Sequence, residues 1–362
     1  MNRTILAITD SIKFYIPHHI IMRYLFELSG EHPVLPLAEL KASLGAEGVK
    51  YKITDTGERV VEIETKKMSV ERIKNRLALC HEILLKCFSC KIADMKRIEQ
   101  YADSISLDAT DCGTFCVRAK RVGDHGKNLN LSKIEKSLGG ALNKKDKFKV
   151  NLDDPDIEVR VLLSDRCYVG IVKGRINRTG FEERKVRYRP FFSPVSLHPR
   201  LARVLVNLSG VKKGETLLDP FCGTGGILIE AGLIGAKLIG TDIDKRMVSG
   251  AKRNLGYFKI AKSKIIACDV GDIDDFVKNV DAIATDPPYG RSATTNSEEL
   301  KSLYGRAFSV FQDVLKDDGY LSITLPDMKY VKLGEKHLSL NEVYPARVHR
   351  SLTRYFCVYG HK

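Results

Sequence analysis

Residues 282–292 read AIATDPPYGRS. An apolar run ends in an aspartate, two prolines, a tyrosine and a glycine. Neither proline offers a backbone N–H, and both hold φ near about −65°. The first also pushes Asp286 out of the helical region. The stretch therefore reads as a stiff extended turn leaving a strand, with one carboxylate and one aromatic ring in fixed relation. A corner of this kind presents acceptors and few donors. It fits a planar exocyclic amine, such as guanine N2 or adenine N6, whose delocalised lone pair makes it a poor nucleophile. Asp286 and the Pro287 carbonyl oxygen can accept both amine hydrogens and aim the nitrogen, and Asp286 can take a proton. Tyr289 can stack on the base, a contact worth about 1–3 kcal/mol elsewhere.

Three further strand-like runs end in an acid. In ETLLDPFCGTGGILIEAGLIG, Asp219 closes an apolar run, and Gly223, Gly225 and Gly226 allow a tight turn into a helix. The spacing D-x-x-x-G-x-G-G differs from the dinucleotide fingerprint. An acid at that place repels a pyrophosphate and suits the cationic amino-acid end of S-adenosyl-L-methionine. LIGTDID puts Asp242 at the next strand end, 23 residues on, where a carboxylate accepts from ribose hydroxyls. IIACDV puts Asp269 at a third, placed to accept from an adenine amino group. Each aspartate alone reads as a helix cap, which is the better reading of Asp269 taken singly. Three in succession, followed by DPPY, read as a cofactor and an amine held along one sheet edge.

These acids need a frame. From about residue 196, TLLD, AKLIGTD, KIIACD, AIATD and YLSITLP alternate with helical stretches, which predicts a doubly wound parallel sheet. The end, EVYPARVHRSLTRYFCVYGHK, has no room for a crossover helix and predicts an antiparallel hairpin closing that sheet. Upstream, RYLFELSG, LPLAELKASLG and YKITDTGERVVEIET read as strand, helix and strands. A helix is expected over residues 71–89, with Leu77, Cys80, Leu84 and Cys87 on one face. Residues 90–175 then read as a small α+β module with strands at GTFCVRAKRVG, IEVRVLLSD and RCYVGIVKG. Residues 173–189 carry seven Lys and Arg against two Glu and read as a basic linker.

A chain of 362 residues exceeds one typical core and suggests about two or three domains. With 43% hydrophobic and 29% charged residues, the composition is that of an ordinary globular protein. No apolar run reaches the about 18 residues of a membrane span, and the first residues lack the plan of a signal peptide. A reducing cytoplasm is the expectation. Residues 1–195 hold 35 Lys and Arg against 26 Asp and Glu, so most of the +14 net charge lies there. That balance suits a polyanion such as nucleic acid. The nine cysteines include the pairs Cys87/Cys90 and Cys112/Cys116. A zinc ribbon wants its close pairs on short knuckles, whereas Cys80, Cys87 and Cys90 fall in the stretch read as an amphipathic helix, so no metal is expected.

Residues 196–362 resemble the class I methyltransferase fold, and DPPY resembles the signature of its amino-group N-methyltransferases. DPFCGTGGILIEAGLIG and DPPYG together resemble the archaeal tRNA guanosine-10 N2-methyltransferases. So do FELSGEHPVLPLAEL, HPRLARVLVNLS and VHRSLTR; FCVRAKRVG and DDPDIEVRVLLSDRCYVGI resemble strands of the RNA-binding THUMP domain. The resemblance implies a ferredoxin-like domain over 22–80, THUMP over 81–174, a linker over 175–195 and the catalytic domain over 196–362. Residues 1–21 are an extension with no counterpart, and Met22 reads as an alternative start. The resemblance also implies S-adenosyl-L-methionine as cofactor and tRNA as partner; a monomer is expected, with no membrane and no metal. Asp286, Pro287 and Tyr289 would act on the amine, and Asp219, Gly223, Gly225, Asp242 and Asp269 would hold the cofactor. Arg118, Lys120 and Arg121 would touch RNA. The competing readings are methylation of another tRNA or rRNA guanosine, and a non-catalytic RNA-binding adaptor, against which the intact acids at 219, 242 and 286 speak.

Overall fold

The computed structural model describes residues 21–107, 113–145, 148–193, 196–289, 298–349 and 352–362. The extension, Cys112, the stretch from Gly290 to Ser292, and Arg350 and Ser351 lie outside the described residues.

The amino-terminal half is built on one eight-stranded sheet. Its elements are β1 (Met22–Leu28), α1 (Leu35–Ala46), β2 (Tyr51–Thr56), β3 (Val60–Thr65), α2 (Val70–Arg76) and β4 (Cys80–Cys90). After them come β5 (Thr114–Arg121), α3 (Leu131–Lys145), β6 (Lys149–Val150), β7 (Ile157–Leu163) and β8 (Cys167–Arg175). The strand order is β2-β3-β1-β4-β8-β7-β5-β6. The helix expected over 71–89 is corrected: α2 stops at Arg76 and residues 80–90 form β4. Strand β4 pairs with β1 on one side and β8 on the other. Its apolar residues spaced three and four apart mimic a helical stripe, because a central strand packed on both faces loses strict alternation.

The carboxy-terminal half follows a short helix α4 (Arg178–Glu183) and α5 (Pro199–Leu208). Four parallel strands come next: β9 (Thr216–Asp219), β10 (Lys237–Asp242), β11 (Ser263–Ala267) and β12 (Val280–Thr285). Helices α6 (Gly226–Leu233) and α7 (Lys245–Tyr257) separate the first three. Helix α8 (Leu300–Val314), β13 (Leu315–Leu325), α9 (Met328–Gly334), β14 (Ser339–His349) and β15 (Leu352–Gly360) complete the chain. The order is β11-β10-β9-β12-β13-β15-β14, with β15 antiparallel to both neighbours. The expected hairpin is present. Leu217, Ala282 and Ala284 join the core under α5 and α6, while Leu218, Ile283, Leu321 and Ile323 join the one under α8. Burial on both faces explains why these strands read as continuous apolar runs.

The two halves are joined by buried polar groups. The Arg76 guanidinium, 1% exposed, donates to Glu47 at 2.6 Å, to the Asn207 side-chain oxygen at 3.3 Å and to the Val211 carbonyl at 2.5 Å. The Glu39 carboxylate accepts from the N–H groups of Ala78 and Leu79 at 2.9 and 2.8 Å and from Asn207 at 2.9 Å. Arg203 donates to the Asn75 carbonyl at 2.6 Å and pairs with Glu230 at 2.9 Å.

The segment expected as a basic linker is folded into this joint. Arg184 meets Glu230 with both forks, at 2.7 and 3.1 Å, and lies over the ring of Phe181. Arg189, 5% exposed, donates to Thr224 at 3.1 Å and to the Arg184 carbonyl at 2.9 Å. A charge run without apolar periodicity reads as solvated, but these cations have internal partners.

Candidate active site at the carboxyl ends of the second sheet

Strand β9 lies between β10 and β12, so the chain winds outward through β11 and returns on the other side of β9. That switch point leaves a crevice at the carboxyl ends of the strands, where ligands of such sheets bind. Asp219 at the end of β9 and Asp286 just past β12 stand on its two sides.

The glycine turn opens this crevice. Gly223 and Gly225 have φ of +49° and +80°, the left-handed region that glycine enters without steric cost. Gly225 is the N-cap of α6. A Cβ built on Gly223 would meet nothing within 4 Å, so the turn borders open space. Asp242 braces the turn from the next strand: its carboxylate accepts from Gly223 N and Asp244 N, both at 2.9 Å. Burial raises its pKa.

Asp219 is 1% exposed and accepts from the Thr285 hydroxyl at 2.8 Å and from Phe221 N at 3.3 Å. Burial pushes its pKa up to about 7. A nearly buried acid with one oxygen pinned is suited to a cationic ligand, which would favour its ionised form. Asp269 caps a short helical turn through Gly271 N at 2.8 Å and pairs with Arg306. Arg306 holds the Asp269 carboxyl below its ordinary range. The capping reading of Asp269 is thus visible in the structure.

The DPPY corner is tied down at Asp286, Pro288 and Tyr289. The Tyr289 and Thr324 hydroxyls both donate to Asp286 Oδ1, and they lie 2.9 Å from each other. The Tyr304 hydroxyl donates to the Pro288 carbonyl at 2.7 Å. Asp286 Oδ2 and the Pro287 carbonyl oxygen have no hydrogen bond among the described residues. Burial, with the Asp286 carboxylate beside it, raises the Tyr289 pKa well above its ordinary value, so the phenol stays protonated as a donor.

Tyr289 was expected to offer its ring to a base. Its hydroxyl anchors Asp286, and the Arg354 guanidinium carbon lies 5.2 Å from its ring centroid. Sequence reasoning missed Thr324, Tyr304 and Arg354. The signal for Thr324 is the last turn of YLSITLP: β12 and β13 pair in parallel with Thr285 opposite Ile323, which brings Thr324 beside Asp286.

The three candidate RNA contacts sit together on β5, each with an internal partner. Arg118 donates to the Leu152 carbonyl at 2.5 Å, and Arg121 to the carbonyls of Gly126 and Leu129 at 3.1 and 2.5 Å. Lys120 pairs with Glu27 at 2.7 Å. Among the described residues, no group of three or more His, Cys, Asp and Glu is placed to hold a metal. No described helix is long and apolar enough to cross a membrane.

Comparison with known proteins bears on this geometry. An RMKL-like methyltransferase domain model matches residues 186–355, and a THUMP domain model matches residues 93–172. A crystal structure of TrmN from Thermus thermophilus superposes with a TM-score of 0.53 and 22% identity, covering 93% of this chain and 99% of that one. This shows the shared fold. The tRNA (guanine(10)-N2)-dimethyltransferase of Methanothermobacter thermautotrophicus is 37% identical over 336 residues, covering 92% of this chain and 98% of the relative. Its counterpart in Methanocaldococcus jannaschii is 33% identical over 355 residues, with coverage of 92% and 98%. At such identity, extending over both halves and the joint between them, the chain belongs to the tRNA (guanine(10)-N2)-dimethyltransferase family.

Proposed function

We propose that this protein methylates the exocyclic N2 of guanosine 10 in tRNA, giving N2-methylguanosine and then N2,N2-dimethylguanosine. The observation that carries the reading is the DPPY corner, where Asp286 has one oxygen fixed by two hydroxyls and the other available beside the Pro287 carbonyl. When bound, S-adenosyl-L-methionine supplies a methyl group on a cationic sulfur. The residues present suit that group: an open glycine turn, a buried acid at Asp219 and a braced carboxylate at Asp242. Asp219 would face the ammonium end, Gly223 and Gly225 would let the backbone approach closely, and Asp242 would accept from ribose hydroxyls. Asp269 would accept from the adenine amine with its Arg306 pair in place.

Guanine N2 lies in the minor groove of a paired stem and cannot enter a fixed corner while stacked. The nucleotide must leave the helix, at a cost of a few kcal/mol. Asp286 Oδ2 and the Pro287 oxygen then accept the two amine hydrogens. This draws density onto nitrogen and orients it for attack. As nitrogen gains a fourth bond it becomes acidic, and Asp286 Oδ2 takes its proton. The Thr324 and Tyr289 hydroxyls hold Oδ1 throughout. After one transfer a single N–H remains, and rotation about the C–N bond presents the nitrogen again. The THUMP match and the charge of residues 1–195 support tRNA as the substrate body.

The test is nucleoside mass analysis of an unmodified tRNA incubated with the protein and labelled cofactor. N2-methylguanosine should form first and dimethylguanosine later, both at position 10. A tRNA with inosine at that position lacks the amine; it should bind nearly as well and accept no methyl. Methylation of the inosine tRNA at an unchanged rate would overturn the assignment of N2.

A further inference from the structure

The enclosed arginines described above have internal partners, and Arg189, without a carboxylate, is held by the Thr224 hydroxyl and the Arg184 carbonyl. Arg76, Arg160, Arg184 and Arg203 each pair with a carboxylate. Arg354 is partly buried and has no carboxylate within 4 Å among the described residues. Its Nε is buried with no hydrogen-bond partner. A buried donor left in this way has a desolvation cost that a ligand can relieve.

The sheet places this cation at the active site. Strand β15 runs antiparallel to β13, so its beginning lies at the carboxyl end of the parallel strands. Tyr355 faces Leu325 there, one residue past Thr324. The guanidinium lies against the ring of Tyr289, whose hydroxyl holds Asp286. A guanidinium on an aromatic face keeps its planar fork oriented, at little further entropic cost on binding. Arg347, near the same end of the hairpin, is exposed and has no carboxylate partner among the described residues.

We propose that Arg354 binds the RNA phosphate next to the target guanosine and so holds the extruded nucleotide against the DPPY corner. This rests on the reading of the site as an RNA methyltransferase centre. A phosphodiester supplies the anion that no carboxylate supplies, and its paired oxygens match the guanidinium fork. The amine edge of the base is met by Asp286 and the Pro287 carbonyl, both acceptors, so a cation beside them is suited to the anionic backbone of the same nucleotide. Tyr289 then serves two groups: its hydroxyl fixes the acid, and its face fixes the cation.

The experiment uses full-length protein and two ligated tRNAs, one natural and one with an uncharged methylphosphonate at the phosphate 5′ to the target guanosine. With wild type, the methylphosphonate should raise KM about tenfold. Arg354→Ala should raise KM about tenfold on natural tRNA and show no further response to the methylphosphonate. Arg354→Lys, which keeps charge but not the fork, should fall between, and cofactor affinity should not change in either variant. The slope of log Kd against log salt for tRNA should drop by about 0.7–0.9 in Arg354→Ala. This slope needs binding alone, so it tests Arg354 even if wild type fails to methylate tRNA, a result that would sink the functional reading instead. The proposal is overturned if Arg354→Ala keeps wild-type KM and salt slope, or responds to the methylphosphonate as strongly as wild type does. It is likewise overturned if 7-deazaguanosine at the target, rather than the methylphosphonate, reproduces the Arg354→Ala effect, since that would assign the contact to the base.

Discussion

Replacing Thr324 by valine removes one of the two hydroxyls on Asp286 Oδ1 while keeping the outline of the side chain. We expect kcat to fall about tenfold with cofactor affinity unchanged, and Thr324→Ser to restore most of it. A purely structural role would lower stability without that split. Asp286→Ala removes the acceptor itself, so single-turnover methylation should fall at least about a hundredfold while calorimetric cofactor binding persists. Asp219 gives a pH signature. Its folded pKa of about 7 lies above the usual carboxylate value, so the folded chain holds a proton that the unfolded chain releases at lower pH. Its contribution to stability is therefore most favourable at low pH and declines as pH rises from about 4 to about 7, then levels off. Asp219→Asn should remove that decline, read by denaturant unfolding at pH 5 and 8. Equal pH slopes in the two proteins would contradict the buried-acid account. Asp219, Asp242 and Asp286 were legible because each closes a local apolar run. Thr324 and Arg354 were not, because strand register brings them in from 38 and 68 residues away.

The turn between β9 and α6 carries its own prediction. Gly223→Ala adds a methyl group that meets no protein atom but forces an L-residue to φ +49°. The strain should cost about 1–2 kcal/mol of stability. Cofactor affinity should fall more steeply, because the Cβ enters the space beside Asp242. Loss of stability with unchanged affinity would place the cofactor elsewhere. At this scale the parallel strands and the closing hairpin were readable, since flanking turns punctuate them. The strand β4 was not, because packing on both faces erased its period of two. The residues from Arg184 to Arg189 looked like a linker because their partners, Glu230 and Thr224, lie in a distant helix and turn.

Across the whole molecule, the joint between the halves should behave as part of one core. Arg76→Met removes a guanidinium that satisfies Glu47, Asn207 and the Val211 carbonyl, leaving those acceptors enclosed. We expect a loss of about 3–5 kcal/mol in chemical denaturation, with a single transition retained. A surface-like change under about 1 kcal/mol would show that the joint is open to water. The pairing of β1, β4 and β8 in one sheet has a consequence for protein engineering and for evolution by recombination. A crossover near residue 80 would divide a hydrogen-bonded sheet and leave two raw edges prone to aggregation. The transplantable unit is the entire piece from β1 to β8. A chimera that grafts it onto a foreign catalytic domain must also import the side chains that answer Glu39 and Arg76. Asn207 is the residue whose absence in the recipient should make such a hybrid fail.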